Sequence, residues 1–256
     1  QRTQWAASFV NAVLRRASRE YDKVDFPDSQ DHTTRALAIN KSLPDWLIER
    51  WISRFGADAT IRLCDAINKP ASVTLRTNTL KTSRSELLAE LLTLAEGANR
   101  ANFAPDGIYT DQAGAKLFRH PVFLNGLCAV QDEAAQLVGL LINPQPGERV
   151  LDGCAGLGGK SGHMAQMMRN RGQVVAVDRS KTRLTQLKTE MTRLGITIVD
   201  PLALPLEKAI SKQELQRPFD RVLVDAPCSG LGVLKRNPDI KWSPMKSNLK
   251  RYQKIQ

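Results

Sequence analysis

Two short stretches of this sequence combine residue types and spacings that could do chemistry. The first is Leu151-Asp152-Gly153-Cys154-Ala155-Gly156-Leu157-Gly158-Gly159-Lys160. Arg149 to Leu151 reads as a strand and Ser161 to Arg169 as a helix, so the glycines fall where a glycine loop gains meaning. Glycine lets the backbone turn sharply and come close to a ligand. The next strand, Val174 to Asp178, ends in an acid placed to hold a ribose diol. The pairing points to a nucleoside-containing cofactor. The dinucleotide fingerprint fits at Gly156 and Gly158 but fails at its sixth position, which is Ser161. The nucleoside-triphosphate loop finds its end in Gly159-Lys160-Ser161, but its first glycine would have to be Cys154, and Gly153 comes one place too early. A methyl-donor site leads; a nucleotide site, as in a P-loop hydrolase, and a glycine loop made only for tight packing stay open.

The second stretch is Asp225-Ala226-Pro227-Cys228-Ser229-Gly230, delivered by the strand Phe219 to Val224 to the same sheet edge. Pro227 fixes its own backbone angle and restricts Ala226, so the turn can hold a carboxylate and a thiol above a pocket. A thiol is an efficient nucleophile once its thiolate is stabilised. Cysteine is equally common as a small buried filler. Further on, Asn237-Pro238-Asp239-Ile240-Lys241-Trp242 brings an acid, a base and an aromatic together, either for nucleic acid by charge and stacking or as a plain surface turn.

These residues need a scaffold. From Gln131 onward the pattern is α/β: a helix Asp132 to Ile142 closed by Pro144-Gln145-Pro146-Gly147, the strand and helix around the glycine loop, the strand to Asp178, a helix Lys181 to Leu194 closed by Gly195, and strands Ile196 to Val199 and Arg221 to Val224. Strands alternating with helices imply a parallel doubly wound sheet that binds ligands at its carboxyl edge. Upstream lies a smaller α+β pattern. Ser72 to Asn78 alternates as a half-buried strand would, Ser85 to Ala95 is helical with Leu87, Leu88, Leu91 and Leu92 near one face, and Gly107 to Thr110 and Ala129-Val130 are short strands. Before it, Gln4 to Glu20 is a helix with Trp5, Phe9, Val13 and Leu14 at helical spacing, Tyr21 to Gln30 a linker, and Ser42-Leu43-Pro44-Asp45-Trp46 a helix start. Trp46, Ile48, Trp51, Ile52 and Phe55 form its expected buried stripe, and Ala57 to Ile67 a further helix.

With 256 residues, 42% of them hydrophobic, the chain can bury a real core, which excludes disorder throughout. The net charge of +11 makes nucleic acid the first candidate partner and an anionic membrane the second, against a merely solubilising surface. The longest apolar run, Leu137 to Ile142, cannot span a bilayer. The start at Gln1 reads as an interior cut, with no signal-peptide core. Cys64, Cys128, Cys154 and Cys228 are scattered without metal-ligand spacing, which fits a reducing, cytoplasmic setting and no metal.

The glycine loop, Asp225 to Gly230 and Asn237 to Trp242 resemble the Nop2/Sun-type RNA cytosine-C5 methyltransferases, particularly the branch acting on bacterial 16S ribosomal RNA. The resemblance runs through most of the chain. Phe9 to Arg16 is similar to the last helix of a NusB-like RNA-binding domain, Leu75-Arg76-Thr77-Asn78 to the opening strand of a small RNA-recognition-like subdomain, and Gln131-Asp132-Glu133-Ala134 to the entry of the catalytic domain. It implies three segments: residues 1–40, a helical remnant and linker; 41–130, an α+β subdomain with leading helices; and 131–256, a Rossmann-like methyltransferase domain. It implies S-adenosylmethionine as cofactor, ribosomal RNA as partner, and a monomer. Asp152, Cys154, Ala155, Gly156, Leu157, Gly158, Gly159 and Lys160 would wrap the methionine part, Asp178 the ribose, and Asp200, just past the third strand, the adenine; Arg183 joins this cofactor set. Asp225, which also belongs to the cofactor set, and Lys160 would face the target base. Cys228 would release the product, while a second cysteine, absent here and expected beyond Gln256, would attack cytosine C6. An RNA-binding or assembly module without catalysis is the alternative reading.

Overall fold

The computed structural model describes residues 6–28, 30–94, 97–110, 115–209, 213–242 and 245–256. They form two compact units, one containing the described residues up to Pro70 together with Gly230–Met245, the other Ala71–Ser229 with Lys246–Gln256. In this grouping the helices of residues 45–68 pack with residues 230–245.

The first unit is helical: α1 (Ala7–Glu20), α2 (Thr34–Asn40), α3 (Asp45–Phe55) and α4 (Ala57–Asn68). Helix α2, absent from the sequence reading, is capped by Thr33, whose hydroxyl accepts the Ala36 N–H at 3.3 Å. Pro44 holds extended backbone just ahead of α3, and Gly56, at φ +81°, ends it. The buried face of α3 is shifted from the expected stripe. Leu47 and Ile48 are fully buried, whereas Phe55 is 51% exposed. They pack with Leu37, Leu43, Cys64 and, from the far end of the chain, Leu234. Helix α1 forms as expected but buries nothing, and Phe9, Val13 and Leu14 stay exposed; Trp5 lies outside the described residues.

The second unit opens with β1 (Val73–Thr77), α5 (Arg84–Leu94), β2 (Asn99–Arg100), β3 (Gly107–Thr110), α6 (Ala115–Phe118), α7 (Pro121–Leu124) and β4 (Cys128–Val130). The strands pair antiparallel in the order β2-β3-β1-β4. Leu75, Ile108 and Cys128 face α5 and α7. The α/β part follows as α8 (Glu133–Ile142), β5 (Arg149–Asp152), α9 (Gly159–Met167), β6 (Gln173–Asp178), α10 (Lys181–Leu194), β7 (Val199–Ala203), α11 (Leu206–Ala209), α12 (Gln213–Gln216), β8 (Arg221–Leu223) and α13 (Met245–Ile255). Its strands are all parallel, in the order β7-β6-β5-β8. Val150, Val174 and Ala176 pack on one face with Met164, Leu184 and Leu187, and Leu151, Val175 and Val177 on the other with Ala209. This two-sided burial explains the nearly unbroken apolar runs of β5 and β6. Among the described residues, no helix is long and apolar enough to cross a membrane.

Strand β1 overturns the half-buried expectation, since both of its faces are covered. Thr74 and Arg76 point away from the α5 side yet are 0% and 1% exposed. Gln136 of α8 donates to the Leu75 carbonyl (3.3 Å), Gln166 of the α9 C-terminal turn to that of Thr77 (2.9 Å), and Asn78 to the Leu194 carbonyl of α10 (2.8 Å). Tyr109 of β3, opposite Thr74, gives its hydroxyl to Glu133 at the start of α8. The sheet has the strand order of an RNA-recognition module, but the face on which such modules stack bases is an internal seam here.

Glu133 anchors that seam. Its carboxylate also accepts the backbone N–H groups of Phe103 (2.6 Å) and Ala104 (3.0 Å). Burial raises its pKa, but the Tyr109 hydroxyl and the loop N–H groups outweigh this and leave it lowered. Ionised Glu133 therefore stabilises the fold fully above the ordinary glutamate value, and this is lost as pH falls through the depressed folded value. Glu133→Gln should cost about 1–3 kcal/mol at pH 7 by leaving buried N–H groups facing an amide. Urea melts at pH 7 and pH 3 check this: the gap should shrink at pH 3, and an unchanged gap would contradict the charge argument.

Candidate active site at the carboxyl edge of the parallel sheet

Strand β5 lies between β6 and β8, so the chain reverses direction across the sheet at β5/β8, the position where open α/β sheets bind ligands. Asp152, at the end of β5, is level with Leu223 of β8. The loop after β5 and the loop after β8 thus leave the same edge side by side.

The first loop is held from below. Gly153 N–H donates to the Leu223 carbonyl (2.8 Å) and Ala155 N–H to that of Val177 (2.9 Å), tying it to both neighbouring strands. Two glycines are needed for different reasons. Gly156 has φ +57° and nothing within 4 Å of where a Cβ would stand, so its outer side is open to a ligand. Gly158 has φ +85°, and a Cβ there would sit 2.6 Å from Leu187 Cγ, so it is required for packing. Leu157 is 57% exposed at the crest. Gly159 opens α9, two residues earlier than the sequence reading placed the helix.

Asp178 ends β6 and is 9% exposed. One oxygen accepts the Gly156 N–H (2.9 Å), the other the Ser180 N–H (2.8 Å). Each oxygen keeps a lone pair for a further donor. Asp152 is buried, with Ser161 Oγ donating to its Oδ2 at 2.6 Å and its Oδ1 without a hydrogen-bond partner. Burial pushes its carboxyl pKa up, partly opposed by the Ser161 hydroxyl. Ser161, which in the sequence stands at the failed sixth position of the dinucleotide fingerprint and at the end of the nucleoside-triphosphate loop, is thus the residue that orients Asp152. Cys154 is half-buried, and its thiol pKa is raised by burial and by the carboxylates of Asp152, Asp178 and Asp225. That environment does not make a nucleophile.

From the β8 side, Asp225 Oδ2 meets Lys160 Nζ at 2.5 Å. The pair joins the two loops and is partly open, with 23% of the Lys160 and 55% of the Asp225 side chain exposed. Of the four cysteines, Cys228 alone is exposed; burial pushes the thiols of Cys64 and Cys128 up to about 11 and about 12. The buried-filler reading of Cys228 is therefore wrong.

Two members of the expected set fare differently. Arg183 is exposed in the first turn of α10, just after Asp178, and its backbone N–H donates to the Ser180 cap (3.4 Å). Asp200 is not past the third strand. That strand runs Val199–Ala203, not Ile196 to Val199, so Asp200 is its second residue, beside Val175 and held by Gln173 Nε2 at 2.7 Å. At about 3.3 Å per residue it lies roughly 10 Å short of the carboxyl edge. The segment that does reach that edge, Leu204-Pro205-Leu206, carries no acid. Among the described residues, no group of three His, Cys, Asp or Glu side chains could hold a metal ion.

The open cradle at Gly156, the two acceptor oxygens of Asp178 and the unpartnered Asp152 Oδ1 fit a ligand carrying a ribose and an amino-acid part.

Comparison with known proteins identifies the family. A family model described as 16S rRNA methyltransferase RsmB/F matches residues 139–256, and one described as the ferredoxin-like domain of RsmF/B-like methyltransferases matches residues 43–115. The probable ribosomal RNA small subunit methyltransferase B of Bacillus subtilis is 36% identical over 98% of this chain and 55% of that protein. The human 28S rRNA (cytosine(4447)-C(5))-methyltransferase is 34% identical over 80% of this chain and 25% of that protein. The crystal structure of a methyltransferase homolog protein from Pyrococcus horikoshii superposes with a TM-score of 0.69 at 29% identity, covering 87% of this chain and 72% of that one. The chain spans about half the length of the curated bacterial relatives it matches. It belongs to the RsmB/F family of ribosomal RNA methyltransferases, whose methyl donor is S-adenosylmethionine.

Proposed function

We propose that this chain binds S-adenosylmethionine and presents a cytosine of RNA, most naturally of small-subunit ribosomal RNA, for methylation at C5. The observation that carries this reading is the Lys160–Asp225 pair at the β5/β8 reversal, beside the glycine loop and Asp178. The bound cofactor supplies an electrophilic methyl carbon on a sulfonium. The residues of the chain orient the two partners. Asp178 accepts the ribose hydroxyls, and the loop from Asp152 to Lys160 surrounds the methionyl part, with Arg183 at its rim. Asp200 has no part in this arrangement.

A cytosine presents an amino donor at N4 and acceptors at N3 and O2. Asp225 can take the N4 proton in a hydrogen bond, and Lys160 can donate to a neighbouring acceptor. Uracil would instead turn a carbonyl oxygen toward the carboxylate, which favours cytosine. The base must leave its stack to reach the pair. The RNA backbone is held elsewhere than on the face of the β2-β3-β1-β4 sheet, which is already covered, and a surface with net charge +11 suits it. Cys228, the exposed thiol, serves product release, as the family resemblance implies.

Calorimetric titration tests the first half. The chain should bind S-adenosylmethionine and its demethylated product, and neither a dinucleotide nor ATP. ATP binding without binding of the methyl donor would overturn the reading in favour of a nucleotide site. Methyl transfer to ribosomal RNA by the full-length gene product tests the second half; RNA binding without transfer would point to an assembly module.

A further inference from the structure

Among the described residues, Arg76 is the largest side chain that the fold buries completely. It is 1% exposed, and no carboxylate forms a salt bridge with it among the described residues. Its Nη1 donates to the Gly159 carbonyl (2.9 Å) and to Gln131 Oε1, and its Nε has no partner. Burial lowers its pKa to about 10, so it remains a cation at neutral pH. A buried cation whose hydrogen-bond partners are neutral, with only through-space support from Glu190 and Asp106, is a costly way to fill space, and a methionine or leucine would pack the same seam without that desolvation. The place where the guanidinium acts is informative. Gly159 is the first residue of α9, and the next residue is Lys160, whose Nζ reaches Asp225 across the sheet reversal. The Gly159 position has no neighbour within 4 Å on its Cβ side, so side-chain packing there does not hold this turn.

We propose that Arg76 is a positioning residue for the Lys160–Asp225 pair, fixing the first turn of α9 through the Gly159 carbonyl and thereby the direction from which Lys160 meets Asp225. The seam strand β1 then serves the site directly, which explains an arginine where a sheet strand would otherwise be neutral. This inference rests on the reading of Lys160 and Asp225 as the base-facing pair, but its geometric content does not depend on that reading.

The test is nuclear magnetic resonance of the lysine side-chain ammonium groups in the 15N-labelled chain. An ion-paired ammonium exchanges slowly enough to give a resolved signal, and the Lys160 signal is assigned by its loss in Asp225→Asn. Arg76→Met should lose or broaden that signal and weaken methyl-donor affinity roughly tenfold or more. Arg76→Lys, which keeps the charge but is too short to reach Gly159 in the same way, covers the case in which Arg76→Met does not fold, and should weaken the signal in part. Leu75→Ala, on the opposite face of the same strand, should lower thermal stability and leave the signal intact. An unchanged Lys160 signal in a folded Arg76 variant would overturn the proposal and leave Arg76 a strut of the seam. Absence of cofactor binding in the wild-type chain would count against the proposed function alone, because the ammonium signal needs no ligand.

Discussion

Asp178→Ala should weaken S-adenosylmethionine binding by at least about 100-fold, whereas Asp200→Ala should leave it within about twofold. Hydrogen bonds to a charged group each contribute about 1.5–3 kcal/mol, and about 1.4 kcal/mol is a factor of ten in affinity. Asp178 offers two such acceptors to a ribose. It also organises the loop that would surround the rest of the ligand, because its oxygens hold the N–H groups of Gly156 and Ser180. Removing the carboxylate frees Gly156, whose left-handed φ has no packing on its outer side to maintain it. Asp178→Asn should fall between, since the amide keeps one acceptor and turns its NH2 toward a backbone N–H. Asp200 is an equally acidic residue on the adjacent strand, but its carboxylate meets Gln173 at the amino-terminal half of that strand. Calorimetry on the two alanine variants therefore separates a site at the carboxyl edge from a general effect of lost negative charge. Equal losses, or a loss confined to Asp200→Ala, would overturn the site.

Asp200 also shows where the sequence could be read and where it could not. Helix α10 was legible to the residue because both of its ends are local: Ser180 caps the first turn by accepting the Arg183 N–H, and Gly195 takes the left-handed conformation after Leu194. The strand after it was misplaced by three residues. Ile196 and Ile198 look like strand residues, but Ile196 is a buried plug whose N–H returns to Met191 of the helix. Strand β7 carries Pro201 because it lies at the sheet edge, where a missing N–H is tolerated. Helix α2 spans seven residues, too few for a periodic signal, and only its Thr33 cap announces it. The apolar and polar alternation of β1 was real, but its polar face looks onto α8 and α9 of the α/β part instead of solvent. No local pattern reveals that, because the partners of Arg76 and Asn78 lie far along the chain. The glycine loop and both acids at the strand ends were legible for the opposite reason: each is a short motif whose geometry its immediate neighbours determine. Arg76 could have been noticed as a charge in a strand that is otherwise apolar or hydroxylic.

Cys228→Ala, made in the full-length gene product, should accumulate a protein–RNA adduct that survives denaturation. A reader of this chain alone would take Cys228 for the nucleophile, since it is its only exposed thiol and follows Asp225 by three residues. The two roles leave opposite traces. As nucleophile, Cys228 would form the bond to cytosine C6 itself, so the alanine variant would give neither adduct nor methylated RNA. As the release residue, it would act after another thiolate has added to C6, C5 has taken the methyl group and the adduct awaits loss of the C5 proton and expulsion of the attacking sulfur. Without Cys228 that last elimination would stall, and the covalent species would persist. Labelled RNA run in denaturant with the methyl donor would then show a shifted band, and replacing the second cysteine as well should remove it. The exposure of Cys228 fits either role, and it is the family resemblance that favours release. Cofactor binding gives the necessary control, because a Cys228→Ala protein that binds methyl donor and RNA normally but forms no adduct and transfers no methyl group would make Cys228 the attacking residue.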